Sequence, residues 1–171
     1  MPLPEILRYA IAIALSTVLV WAGVSDIIHR RIPNTSVLVV LGLFVLWALV
    51  DRGQGLASSL VAAAVAFAVG YGLYVFKIVG AGDAKLFAAL ALFIGLAHLP
   101  MFALLTVWAG GLIAIGTLIT RPRRAMLMWS LKGKGNFGRG IPYGVAIGAG
   151  GAVVLWGYLT GLLPLERIAI G

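Results

Sequence analysis

The chain contains no cysteine, and among its 171 residues only five carry a carboxylate: Glu5, Asp26, Asp51, Asp83 and Glu166. Without cysteine there are no disulfides, no thiolate zinc sites and no thiol nucleophile, and the redox compartment is left unmarked. Two histidines, His29 and His98, stand far apart, and neither has carboxylates at a spacing that suits a metal centre. No metal and no other cofactor is expected. Charge is scarce altogether: Asp, Glu, Lys and Arg make up 11% of the residues, against about 25% in a soluble globular domain.

What the chain does have is apolar length. Hydrophobic residues account for 62%, and the mean hydropathy is +1.09. These values describe an integral membrane protein read as one transmembrane domain over 1–171, with almost nothing left for a soluble one. A crossing of ~30 Å takes about 20 helical residues. Candidate helices run over Ile6–Ser25, Asn34–Val50 and Leu56–Phe76. From Leu86 to Thr120 no Lys, Arg, Asp or Glu appears. One helix of that length would extend about 50 Å, too long for one crossing. His98-Leu99-Pro100 is the expected break, since proline ends or kinks a helix, which divides the run at 84–97 and 101–120. A last helix is expected over Ile141–Leu163. The first is read as a retained helix, because Met1-Pro2-Leu3-Pro4-Glu5 is not the basic leader of a secretory signal.

Six crossings place both termini on one side, and the basic residues then sort unevenly. Arg30, Arg31, Lys77, Lys85, Arg121, Arg123, Arg124, Lys132, Lys134 and Arg139 fall on one face, and Arg8, Arg52 and Arg167 on the other. Basic residues concentrate in cytoplasmic loops, so an all-α fold with N-out and C-out termini is expected. The segment Arg121–Arg139 has six basic residues, no acidic ones and the apolar patch Ala125-Met126-Leu127-Met128-Trp129. It reads as a short cytoplasmic amphipathic segment whose partner is anionic lipid, in preference to nucleic acid.

The same parity brings two carboxylates to the basic face. Asp26 ends the first helix, and Asp83 returns after one round trip in Gly80-Ala81-Gly82-Asp83-Ala84-Lys85; Glu5, Asp51 and Glu166 fall opposite. An aspartate at the mouth of a membrane helix is costly to desolvate and marks a functional site by default. Two readings fit the pair. In one, the aspartates pair with Arg30, Arg31, Lys77 or Lys85 at the interface. In the other they share a proton, the charged one activating a water while the protonated one polarises a peptide carbonyl. Gly80 and Gly82 would then let substrate backbone approach closely.

The segments Asp26…Arg30-Arg31-Ile32-Pro33-Asn34, Gly80-Ala81-Gly82-Asp83-Ala84-Lys85-Leu86 and Ile141-Pro142-Tyr143-Gly144-Val145-Ala146-Ile147 together resemble the three signatures of the type IV prepilin peptidases, and most nearly the small form serving tight-adherence (Flp-type) pili. The resemblance covers essentially the whole chain. It implies an aspartic endopeptidase with Asp26 and Asp83 catalytic, acting at the cytoplasmic face of the bacterial inner membrane to remove the short basic leader of prepilins and pseudopilins. Larger members of that family also methylate, and carry a cysteine-bearing segment between the first two helices. This chain has only a tight connection there and no cysteine, so methylation is not expected. A proton- or ion-coupled transporter using the aspartates as a relay and a non-enzymatic pilus scaffold are the competing readings; transporters usually place such groups near mid-membrane.

Supporting roles are assigned more coarsely. Pro33-Asn34 reads as the turn that starts the second helix, with Asn34 or Thr35 as its cap and substrate contact as the other use. Lys85 either orients its loop or meets lipid phosphate. His29, one helical turn after Asp26, either faces it or sits at the interface. Tyr143 either hydrogen-bonds near the aspartates and flanks substrate or anchors at the interface. Gly144, Gly148, Gly150, Gly151, Gly157 and Gly161 are assigned to close helix contact.

Overall fold

The computed structural model describes residues 2–120 and 143–163. The proposed amphipathic segment Arg121–Arg139, Pro142, and the tail with Glu166 and Arg167 lie outside the described residues. Among the described residues five helices follow in order: α1 (Leu3–His29), α2 (Asn34–Val50), α3 (Leu56–Val75), α4 (Ala81–Thr120) and α5 (Tyr143–Leu159). No strand is present among the described residues. Helices α1, α3 and α4 are long and apolar enough to cross a membrane, and α2 and α5 are shorter apolar helices of 17 residues each. The chain is an all-helical, multi-pass membrane protein.

The long apolar run breaks, but not at the proline. Gly95 has φ 73 and ψ 172 inside α4, separating an arm over 81–94 from one over 96–120. Only glycine takes that backbone conformation without a steric penalty. Pro100 lies one turn further on, within helical backbone. The break frees the Leu96 amide, and buried Ser58 of α3 satisfies it: its Oγ accepts from Leu96 N at 3.0 Å. A backbone group left unpaired in hydrocarbon is expensive, so a hydroxyl from a neighbouring helix is the device that makes the break tolerable. Ser58→Ala is therefore expected to lower the thermal midpoint in micelles by the equivalent of about 1 kcal/mol. An unchanged midpoint would show that the bond contributes nothing.

Helix α4 is the centre of the bundle, with α3, α5 and α2 packed around it, while α1 packs on α5 and α2. Phe87 and Phe102 stack across the two arms at 4.3 Å between ring centroids, and Phe93 forms T-shaped pairs with Phe44 and Trp47. On α3 the buried residues Ser58, Ala62, Ala66 and Gly70 recur every four positions, all small. This stripe lets α3 lie directly on α4, where Gly70 meets the backbone of Ala84. The large apolar side chains of α3, among them Phe67, Val69 and Tyr71, point outward. Helix α5 stops at Leu159 and not Leu163, because Gly161 turns the chain at φ 75. Among the described residues nothing lies within 4 Å of a Cβ on Gly161, and that glycine serves the turn.

The bundle has two chemically different ends. At one, the Arg8 guanidinium binds buried Asp51 at 2.7 Å and Tyr9 Oη–H donates to the Leu159 carbonyl at 3.1 Å. At the other end lie the C-terminus of α1 and the N-termini of α2, α4 and α5.

Candidate active site

Asp26 occupies the last turn of α1 and is buried, with 7% of its surface exposed. A carboxylate so placed needs partners. Its Oδ2 accepts the Gly144 N–H at 2.8 Å, from the first turn of α5, and the Arg30 charge acts on it from the next turn of its own chain. Backbone donors at a helix N-terminus suit an anion.

Asp83 is placed by a different rule. Gly80 precedes the first residue of α4, and its carbonyl accepts the first helical bond from Ala84 N at 3.1 Å. Asp83 is the third residue of that helix, and its Oδ2 reaches back to accept the Gly80 N–H at 3.3 Å. This is half of a capping box, with the acidic residue three positions after the cap. A Cβ on Gly80 would stand 2.8 Å from that oxygen, so the bare glycine is what admits the carboxylate. Asp26 and Asp83 lie near enough for the charge of one to act on the other.

The connection from α1 to α2 packs against the segments that carry both aspartates. Arg30 adopts the left-handed conformation at φ 56, a strained choice for a non-glycine residue, and the chain reverses there. Ser25 Oγ–H donates to the Arg31 carbonyl at 3.2 Å and steadies the reversal. Ile32 then packs back between the other two segments: a Cβ on Gly82 would stand 3.1 Å from Ile32 Cβ, and one on Gly144 would stand 3.0 Å from Ile32 Cδ1.

The model of the type IV leader peptidase family matches residues 13–115, more than half of the chain and including both aspartates. The chain belongs to that family. No curated protein and no solved structure matches it. It is thus a membrane peptidase of the type IV leader peptidase kind.

The other residues singled out in this leader peptidase separate into those that meet the aspartate end and those that do not. Lys85 Nζ donates to Asn34 Oδ1 at 3.4 Å, tying the first turn of α4 to the first turn of α2 on the exposed surface. Asn34 is the first helical residue and not a cap; Pro33 holds the cap position in extended conformation, with no side-chain cap bond, and its carbonyl accepts from the Ser36 amide and hydroxyl. Proline supplies the fixed φ that starts the helix but has no side-chain acceptor for the first amides of α2. The Tyr143 ring lies on Gly110 of α4, 3.1 Å from where a Cβ there would be, and makes no hydrogen bond to either aspartate. His29 is exposed on the last turn of α1 and does not pair with Asp26. His98 stands beside the break in α4, with Ser58, Ser59, Gly95 and Tyr158 around a shallow depression.

Two contributors to the site, Gly144 and Ile32, are not legible as such in the sequence. Gly144 reads in sequence as one of the contact glycines, yet it carries the amide that holds Asp26. Ile32 has no role legible in the segment Arg30-Arg31-Ile32-Pro33-Asn34. Its signal was a single β-branched apolar residue between two arginines and a proline, in a turn otherwise polar.

Proposed function

We propose that this leader peptidase is an aspartic endopeptidase in which Asp26 and Asp83 hold one proton between them, and that it removes the short basic leader from prepilins or pseudopilins of the tight-adherence type. The observation that carries the reading is the arrival of both carboxylates at one end of the bundle, within electrostatic reach. Each also accepts a backbone amide at a helix start. The charged carboxylate takes a proton from water as the water oxygen bonds to the scissile carbonyl carbon. The protonated one gives its proton to the carbonyl oxygen. As the tetrahedral species collapses, the carboxyl that took the water proton gives it to the departing amine nitrogen while the other carboxylate takes a hydroxyl proton from the gem-diol, which breaks the carbon–nitrogen bond and leaves one proton on the pair.

The connection over residues 30–33 supports leader removal without methylation, since it leaves no room between α1 and α2 for a second catalytic unit. Gly80, Gly82, Pro33, Asn34, Lys85 and Tyr143 frame the site, and anionic lipid at Arg121–Arg139 on the cytoplasmic leaflet would hold it at the membrane surface. The ten-to-three division of basic residues supports a cytoplasmic active site in the inner membrane. As a relay for a transporter, the aspartates are badly placed. The broken point of α4 is at Gly95, and Asp83 is twelve residues before it, a separation of roughly 18 Å along a helix.

The test is incubation of the purified protein with a prepilin of the tight-adherence class, followed by intact-mass measurement. The expected product has lost the leader mass and gained no methyl group. Proteoliposomes that carry an acid-dependent flux and leave the prepilin whole would instead establish the transporter.

A further inference from the structure

We infer that Ile32 is the positioning residue that sets the separation of the two catalytic aspartates. The inference rests on the proposed dyad. Ile32 touches neither carboxylate directly through a polar atom, but it is wedged between the two backbones that hold them. Its Cβ and Cγ1 face Gly82, the residue before Asp83, at 3.1 and 3.7 Å from the Cβ position there. Its Cδ1 faces Gly144, whose amide binds Asp26, at 3.0 Å from the Cβ position there. One side chain therefore braces α4 on one flank and α5 on the other.

The wedge is stiff for three independent reasons. A β-branched residue has one strongly preferred χ1. The residue before a proline is confined to extended backbone, and Pro33 follows. The preceding turn is pinned by the left-handed Arg30 and by the Ser25–Arg31 hydrogen bond. Ile32 is half-buried and its side chain joins the apolar core, so it is anchored from below as well. Both glycines are bare where they meet it, and a carboxylate pair that must share one water tolerates little change in spacing.

Steady-state cleavage of a prepilin by Ile32→Ala and Ile32→Val tests this. Ile32→Ala removes Cγ1 and Cδ1, so it frees the Gly144 flank and reduces the Gly82 flank to the Cβ contact alone. The expected result is a fall in kcat of roughly tenfold to a hundredfold with KM within about twofold, as for a small misplacement of reacting groups. Ile32→Val removes Cδ1 alone, so it loosens the Gly144 flank and retains the Gly82 contact; its kcat should fall between the wild type and Ile32→Ala. Val40→Ala, fully buried in α2, is the control for lost core volume and should lower the thermal midpoint while kcat holds. If Ile32→Ala fails to fold, Ile32→Val decides. Unchanged kcat in the folded variants overturns the inference, as does a raised KM with unchanged kcat, which would make Ile32 a substrate contact. Cleavage by Asp26→Asn or Asp83→Asn at the wild-type rate would instead overturn the dyad itself, so the two failures are distinguishable.

Discussion

Asp26→Asn and Asp83→Asn each remove prepilin cleavage while the protein still inserts and folds. The substitution is nearly isosteric, and the asparagine carbonyl oxygen can still accept from Gly144 N at the Asp26 position or from Gly80 N at the Asp83 position. What is lost is the capacity to take or give a proton. General acid–base groups are worth roughly a hundredfold to ten-thousandfold each. On the proposed mechanism the carboxylates act as a unit, so the double variant should be little worse than either single one. Folding should survive, since the amide keeps the shape of the carboxyl and the bond from Gly144. The measurement is the rate of leader loss, set beside the helical circular dichroism and the thermal midpoint of each variant. A single variant cleaving at the wild-type rate rules the mechanism out.

Sequence reasoning recovered what apolar length and charge parity can carry. Helix α2 occupies the expected residues, α3 differs by one residue, and Asp26 and Asp83 stand at one end of the bundle while Arg8 and Asp51 pair at the other. It failed where a local rule was outweighed by tertiary contact. Pro100 is the stronger helix breaker by propensity, but the turn falls at Gly95, where α3 offers the Ser58 hydroxyl to the freed amide. Asn34 is a good cap by type, but its oxygen is engaged by Lys85 from α4, a residue distant in sequence. Gly144 reads as one of many small residues in an apolar helix. Only the approach of α1 reveals that its amide, and not its small size alone, is used. The spacing in Gly80-Ala81-Gly82-Asp83 was legible as a motif, while its reason, a backward-reaching helix cap, needed the first turn of α4 in place.

Gly144 supplies the second large effect, because two physical rules oppose each other there. Within a helix, alanine is favoured over glycine by roughly 0.5–1 kcal/mol, so local propensity alone makes Gly144→Ala stabilising. The neighbours say otherwise. The added Cβ would stand 3.0 Å from Asp26 Oδ2, 3.0 Å from Ile32 Cδ1 and 3.2 Å from Asp26 Cβ, a tight contact on every side. Neither α1 nor the braced Ile32 turn can yield freely, so the start of α5 must move outward by a few tenths of an ångström. The amide donor remains, but its 2.8 Å bond to Asp26 lengthens and the carboxylate is re-aimed. Overpacking a filled site costs about 1–3 kcal/mol, which exceeds the propensity gain. A matched variant on the same helix separates the two rules. A Cβ on Gly148 would meet Leu19 Cβ at 3.5 Å, an ordinary contact. Gly148→Ala is thus expected to keep full activity and match or exceed the wild-type midpoint, whereas Gly144→Ala loses roughly tenfold to a hundredfold in kcat. Equal kcat in the two variants would mean that Gly144 does no more for Asp26 than fill space.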